Sequence, residues 1–203
     1  PFKDAGIRNL VRFGRDISAT NITITIISKV DGLLIGKFFG AGPLGLYRQG
    51  YNLIMAPTEQ LNGPIFSVAQ PALSRLQNDH ERYRRYYQNI SFLISAATMP
   101  LGFGVAILSE EITFLLLGEK WAGAAVFLQI FAIAAAIRPV IGSSAIVLIT
   151  CGKSQMLLWI AIVHSIVLLV FMIVGVQWGA VGIAIAHVAT TVMLMIPKLY
   201  ISF

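Results

Sequence analysis

Long apolar runs are the feature that most constrains this chain. Segments of about 20 mostly apolar residues, the length needed for a helix to cross the hydrocarbon core of a bilayer, recur along the whole sequence. Hydrophobic residues make up 57% of the 203 residues and charged residues only 12%, whereas soluble domains contain about 25% charged residues. Because a backbone that crosses lipid must satisfy its own hydrogen bonds, these runs predict an all-α, polytopic membrane protein.

Six transmembrane helices are predicted, separated by turns or polar connections. We place the spans at residues 16–39, 43–68, 82–108, 122–150, 154–176 and 179–198. Pro57 and Pro100 lie inside the second and third spans, and each predicts a bend because proline has no backbone N–H to donate. The turns before the fifth and sixth spans are short, which predicts antiparallel neighbours.

The connections between the spans carry helix start and stop signals. A basic amphipathic lead-in precedes the first span, and a polar connection is expected from Gln70 to Gln88, with Asn78 or Asp79 capping the third helix. Ser109 is expected to cap a short apolar helix that ends at Gly118. A serine hydroxyl accepts hydrogen bonds from the free amides at a helix start, and glycine readily adopts the left-handed conformation that ends a helix. We expect this short helix to lie at the membrane surface.

Basic residues set the expected orientation of the spans. The net charge is +6, but the basic residues lie between apolar spans and not on one soluble face, which is typical of membrane topology signals and not of nucleic-acid binding. If the N-terminal end is cytoplasmic, the cytoplasmic side holds Lys3, Arg8, Arg12, Arg15, Arg75, Arg82, Arg84, Arg85, Lys153 and Lys198, and the outer side holds Lys37, Arg48 and Lys120. Both ends of this segment are therefore expected on the cytoplasmic face of the membrane.

Polar and charged residues inside the spans are the candidate substrate-cavity residues. They are Asn21, Lys29, Asp31, Asn52, Glu59, Gln60 and Arg138. Polar residues can serve helix packing, but a charged side chain within a membrane usually faces a cavity or a partner. Counted along their helices, Arg138 and Glu59 lie at similar depth near the midplane, so they either form an ion pair between two helices or supply charge to a cavity.

Four short motifs, taken in order, resemble a known family. They are DGLLIGKFFG from Asp31, LGLY from Leu44, PALSRLQ from Pro71 and LGEKW from Leu117. Together they resemble the second half of bacterial polysaccharide transporters, the Wzx-type oligosaccharide flippases. The larger superfamily also contains drug/cation antiporters and the lipid II flippase. The motifs cover most of residues 14–121, and the remainder matches in hydropathy and in a late WGAVG turn.

The resemblance implies a chain of about twelve or more helices in two six-helix lobes that face each other across an alternating-access cavity. This sequence begins at Pro1 without methionine, and we expect it to be one lobe whose partner, the first lobe, lies elsewhere in a longer chain. The implied substrate is an undecaprenyl-diphosphate-linked oligosaccharide, flipped within the membrane lipids for surface polysaccharide such as lipopolysaccharide. Arg138 and Lys29 would then supply positive charge for the diphosphate.

Other functional classes are less well supported. The sequence has no phosphate-binding glycine loop, no catalytic triad and no metal-ligand spacing, so we expect neither an enzyme nor a cofactor. A membrane glycosyl-polymer polymerase or ligase would need a large outer loop, but the longest outer connection spans only residues 108–121. A cation-coupled drug antiporter of the same superfamily remains an alternative, as does a purely structural membrane subunit, which the charged residues within the spans disfavour.

Overall fold

The computed structural model describes residues 4–76, 79–150 and 152–193, with the side chains of 4–10, 138–146 and 150 outside that description. The described residues form helices and no strands. The α-helices are α1 (Asp4–Phe39), α2 (Ala41–Leu76), α3 (His80–Ile107), α4 (Ser109–Leu117), α5 (Ala124–Thr150), α6 (Ser154–Gly175) and α7 (Gly179–Met193). Single 3-10 turns at Glu119–Trp121 and Val176–Trp178 precede α5 and α7.

Glycines in a left-handed conformation separate most of the helices. Gly40, Gly118, Gly152 and Gly179 have φ angles of 83°, 83°, 69° and 76°. Side chains with a Cβ rarely adopt such angles, whereas glycine does so without strain. The expected stop at Gly118 and the short turns before α6 and α7 are confirmed.

The second helix is longer than predicted. α2 continues to Leu76, so residues 70–76 of the predicted polar connection are helical, while α1 includes the basic lead-in as one continuous helix from Asp4. Ala69 and Leu73 explain the longer α2, because both are buried and still hold one face of the helix against the lobe. The polar sequence at this end of α2 therefore continues the helix and does not form a loop.

Capping was predicted correctly for α3 and wrongly for α4. The Asp79 carboxylate accepts a hydrogen bond from the Arg82 amide at 3.1 Å, as expected of an N-cap residue. Ser109 is instead the first residue of α4 and is buried, while the N-cap residue, Leu108, provides no side-chain bond. The acidic first turn, Glu110 and Glu111, is the favourable feature that remains at this helix start.

Helix α2 runs without interruption through Pro57, Pro64 and Pro71. Beside the first of them, the Thr58 hydroxyl donates to the Ile54 carbonyl at 2.6 Å, which adds a hydrogen bond in the turn where Pro57 has no N–H to donate. Bends at Pro57 and Pro100 stay predictions.

Helix α5 is central to the lobe. It packs against α2 on one side and α3 on another, with Leu128, Phe131 and Ala135 fully or almost fully buried. The approach is close, because a Cβ on Gly50 of α2 or on Gly102 of α3 would fall within 2.9 Å of α5 backbone atoms. α1 packs against α6, and α6 against α7, which completes the lobe.

The outer surface of this bundle is apolar over large areas. Phe92 and Ile107 of α3 and Leu115 of α4 are each more than three-quarters exposed. By length and hydropathy, two stretches of the described residues qualify as spans, His80–Ile107 and the pair α6 and α7 over Ser154–Met193. α1 and α2 are longer, at 36 residues each, but polar residues interrupt their apolar faces. The fold is that of an all-α, polytopic membrane protein, and its exposed apolar faces are suited to contact lipid.

Candidate functional site

A stripe of polar residues runs along the outward face of α2. Tyr47, Gly50, Ile54 and Thr58 face α5 and the lobe interior, and they recur at three- or four-residue spacing. Exposed polar residues and one glycine occupy the opposite face, at Asn52, Glu59, Gln60, Gly63, Ser67 and Gln70. We call these residues the α2 polar stripe.

Helix α1 carries a second outward stripe. Its buried face includes Asp16, Thr20, Ile27 and Asp31. Asn21, Thr25, Ser28 and Lys29 are exposed on another side of the helix and form the α1 polar stripe. Neither Lys29 nor Glu59 forms an ion pair with another residue in the part of the chain that the structure describes. Both stripes therefore expose polar groups on the outer surface of the lobe, and each includes one charged side chain without an ion-pair partner among the described residues.

Asp31 differs from the other candidates because it lies inside the lobe. Its side chain is buried, and its carboxylate accepts hydrogen bonds from the Tyr47 hydroxyl at 2.8 Å and from the Gly32 amide at 2.6 Å. The Arg48 guanidinium lies against Gly32, where a Cβ would fall 3.2 Å from its central carbon. These contacts join α1 to α2 near the Gly40 turn.

An aromatic cluster holds Tyr47 in this position. Its ring packs edge-on against Phe127 and Phe131 of α5, with ring centroids 5.7 Å and 5.2 Å apart. Tyr51 contacts Phe131 in the same geometry at 5.1 Å. The Asp31–Tyr47 hydrogen bond thus connects α1 through α2 to the central helix, and sequence reasoning missed it because the two residues lie on different helices.

The structure divides the predicted site residues into three groups. Asn21, Lys29, Asn52, Glu59 and Gln60 are exposed on the two polar stripes. Asp31 is buried and hydrogen-bonded. The Arg138 side chain lies outside the described residues, so its pairing with Glu59 stays a prediction.

A second buried carboxylate, Asp16, lies near the other end of α1 and was also missed. It is only 1% exposed, and its oxygens accept from the Arg15 guanidinium at 3.0 Å and from the Ser154 hydroxyl at 3.1 Å. The contact joins α1 to the start of α6. The sequence signal that could have identified Asp16 is an acidic residue at the start of a span, surrounded by basic residues that could pair with it.

The model of a family described as polysaccharide biosynthesis protein matches residues 1–126, more than half of the chain. The teichuronic acid biosynthesis protein TuaB of Bacillus subtilis (strain 168) is 25% identical over 151 residues, which cover 74% of this chain and 31% of that protein. The lipopolysaccharide biosynthesis protein WzxC of Escherichia coli (strain K12) is 27% identical over 139 residues, which cover 68% and 28%.

A membrane protein in the cps region of Klebsiella pneumoniae is 27% identical over 180 residues, covering 88% of this chain and 37% of that protein. The chain therefore spans about a third of the length of these relatives.

A solved structure has the same fold. It is the outward-facing conformation of a multidrug resistance MATE family transporter of the MOP superfamily, with a TM-score of 0.69 and 18% identity. The match covers 95% of this chain and 44% of that transporter. The helices described above therefore correspond in fold to a little under half of that transporter's chain.

Proposed function

The chain belongs to the polysaccharide biosynthesis protein family, and we propose that it is one lobe of a transporter that flips lipid-linked oligosaccharide across the bacterial inner membrane. The proposed substrate is an undecaprenyl-diphosphate-linked oligosaccharide destined for surface polysaccharide. The proposed transporter contains one further lobe, which precedes this one in the full-length chain. The cavity between the lobes opens alternately to the two sides of the membrane.

The observation that carries this proposal is the pair of polar stripes on α1 and α2. A charged side chain in the middle of a bilayer costs at least about 2.5–3.5 kcal/mol, so Lys29 and Glu59 would be strongly disfavoured on a face that contacts lipid. The stripes instead fit the wall of a water-filled cavity between two lobes. Amide and hydroxyl groups along such a wall can exchange hydrogen bonds with sugar hydroxyls.

The charges on these helices fit a diphosphate-bearing lipid. Lys29 is exposed and has no ion-pair partner among the described residues, so its ammonium group is available to an anionic ligand. Arg138 is the second candidate cation, on α5. The lipid tail would stay in the bilayer while the diphosphate and sugars pass along the polar stripes.

A matched pair of lysine variants tests this role in cells. Lys29→Gln in the full-length transporter should strongly reduce surface polysaccharide while the folded protein stays at its normal level. Lys37→Gln removes the same charge from α1 at a residue that stacks on its neighbour Phe38, 5.8 Å from the ring centroid, and should leave the polysaccharide unchanged. Normal polysaccharide with Lys29→Gln, or equal losses in both variants, would contradict a cavity role for Lys29.

Arg138 is tested alone and with Glu59. If Arg138→Gln folds normally but yields no surface polysaccharide, the arginine serves the cavity. If Arg138→Gln loses folded protein, and adding Glu59→Gln restores both folding and polysaccharide, the pair is purely structural. Wild-type behaviour of the single and double variants would exclude both roles.

The alternative is a cation-coupled drug antiporter, which the fold shared with a MATE transporter keeps open. The two proposals differ in substrate. Deleting the gene should remove surface polysaccharide without changing drug sensitivity if the flippase proposal holds. Unchanged polysaccharide with increased sensitivity to cationic drugs would favour the antiporter.

A further inference from the structure

We propose that a cleft between α1 and the turn from α5 to α6 binds the phosphate group of a membrane lipid. The cleft has a volume of about 540 Å³. Its lining consists of Arg12, Phe13 and Asp16 from α1 and residues 152–156 from the turn and the start of α6. The cleft shares no residue with the polar stripes, and this inference does not depend on the proposed transport function.

The charge of the cleft favours an anion. Arg12 and Lys153 are exposed side chains on its two sides. A hydrogen bond of 3.1 Å from the Arg12 guanidinium to the Gln155 side-chain oxygen holds the arginine across the cleft. The Lys153 side chain has no hydrogen-bond or ion-pair partner among the described residues, which leaves its ammonium group available.

The acidic residue of the lining does not cancel this charge. Asp16 is 1% exposed, and the Arg15 guanidinium and the Ser154 hydroxyl already occupy its oxygens, at 3.0 Å and 3.1 Å. Its carboxylate therefore fixes the position of α6 relative to α1. With Asp16 neutralised by Arg15, Arg12 and Lys153 give the cleft a net positive charge.

The position of the cleft points to a lipid headgroup and not to a free anion. It lies at the turn between two predicted spans, where Gly152 reverses the chain direction with a φ of 69°. Further along α6 from this turn, Met156 and Trp159 expose 37% and 63% of their surfaces. Exposed tryptophan is typical of the membrane interface, and two cations above an exposed apolar surface match a phosphate with its acyl chains below.

Two kinds of lipid present this chemistry. One is an anionic phospholipid of the bilayer, and the other is a polyprenyl diphosphate of the class proposed as substrate. In both, phosphate oxygens would accept hydrogen bonds from Arg12 and Lys153. Binding of either lipid at this cleft would support the proposal. Testing each lipid individually shows which of them binds.

The test measures lipid retention by the full-length transporter in native mass spectrometry. The probes are phosphatidylglycerol, a polyprenyl diphosphate, zwitterionic phosphatidylcholine and inorganic phosphate, each added separately. We expect Arg12→Gln/Lys153→Gln to weaken binding of phosphatidylglycerol or the polyprenyl diphosphate by about 30-fold, given the contribution of two basic residues at an anionic headgroup. Arg75→Gln/Arg85→Gln removes two charges from exposed residues outside the cleft and should bind as the wild type does.

Several results would overturn the proposal. They are equal retention of the anionic lipids by the wild type and the cleft variant, equal weakening in the Arg75/Arg85 control, and binding of inorganic phosphate without either lipid. If the double variant unfolds at a lower temperature, Lys153→Gln alone replaces it, because this side chain bonds no other described residue. The single variant should weaken lipid binding about fivefold, and an unchanged affinity would contradict the proposal.

Discussion

At the scale of single residues, the hydrogen bond between Tyr47 and Asp31 is a buried polar contact between α2 and α1. Both residues are buried, at 1% and 6% exposure, and their oxygens are 2.8 Å apart. A buried carboxylate that loses a donor retains the full cost of its desolvation.

Tyr47→Phe should therefore destabilise the protein by about 1–3 kcal/mol, because the buried Asp31 side chain loses the hydrogen bond from the hydroxyl. Tyr51→Phe is the matched control: Tyr51 packs on the same Phe131 ring but is less buried, and its hydroxyl makes no hydrogen bond among the described residues. Thermal unfolding of the purified full-length variants measures the difference. Equal midpoints for the two variants would show that the Asp31 contact adds nothing.

The sequence alone identified the polar residues within the spans, but it did not show which of them are exposed and which are buried. Lys29, Asn52 and Glu59 were predicted as cavity candidates because they are polar or charged residues inside apolar spans, and all three are exposed. Their role in a cavity stays a prediction. Asp31 lies only two positions from Lys29, yet the helical turn places it on the buried face, and its partner is on another helix. A buried polar pair of this kind depends on tertiary packing, which one sequence does not reveal.

The Asp16 contact is testable in the same way. Asp16→Ala should destabilise the protein by about 1–3 kcal/mol, because it leaves the Ser154 hydroxyl in a buried position without its acceptor and removes the Arg15 ion pair. Ser154→Ala removes the donor but leaves Asp16 paired with Arg15, so a smaller loss is expected. A larger loss for Ser154→Ala in thermal unfolding would contradict the assignment of Asp16 as the principal group.

At the scale of elements, close approach of backbones decides how the helices pack. Turns were predictable because glycine marks them, as at Gly118 and Gly152. The full length of α2 was not predictable, because polarity alone does not distinguish a loop from a helix that leaves the membrane. The roles of individual helix-interior glycines also depend on which neighbour lies opposite.

Two glycines of α3 provide a matched pair. A Cβ at Gly102 would fall 2.7 Å from the Ala136 Cβ and 2.8 Å from the Ala132 carbonyl oxygen, so Gly102→Ala should force α3 and α5 apart and cost about 1–3 kcal/mol. Gly104 has no such neighbour within 4 Å, and Gly104→Ala should be neutral or stabilising by up to about 1 kcal/mol through helix propensity. Equal unfolding midpoints would show that α3 does not approach α5 this closely.

At the scale of the whole molecule, the arrangement is a lobe with apolar outer faces, two polar stripes and a predicted orientation. The orientation rests on the excess of basic residues on the side that includes Arg75 and Arg84. The all-α membrane fold was predictable because apolar runs leave few alternatives in lipid. The proposed second lobe and the proposed cavity stay predictions, because no residue of this sequence tests them.

Cysteine labelling tests the orientation in intact cells. With Cys151 replaced by alanine, a cysteine at Ser74 or Arg84 should be shielded from an impermeant thiol reagent added outside, and a cysteine at Glu111 should be labelled. All three positions are on the ends of helices, where substitution disturbs little of the core. The reverse labelling pattern would overturn the predicted topology.

The most direct measurement of the proposed function is translocation by the purified full-length transporter in liposomes. A fluorescent undecaprenyl-diphosphate-linked oligosaccharide is placed in the bilayer, and a membrane-impermeant quencher reports the fraction in the outer leaflet. The flippase proposal predicts transporter-dependent movement between leaflets, which Lys29→Gln strongly slows and Lys37→Gln does not. Movement no faster than in protein-free liposomes, with the wild-type protein folded, would contradict the proposal.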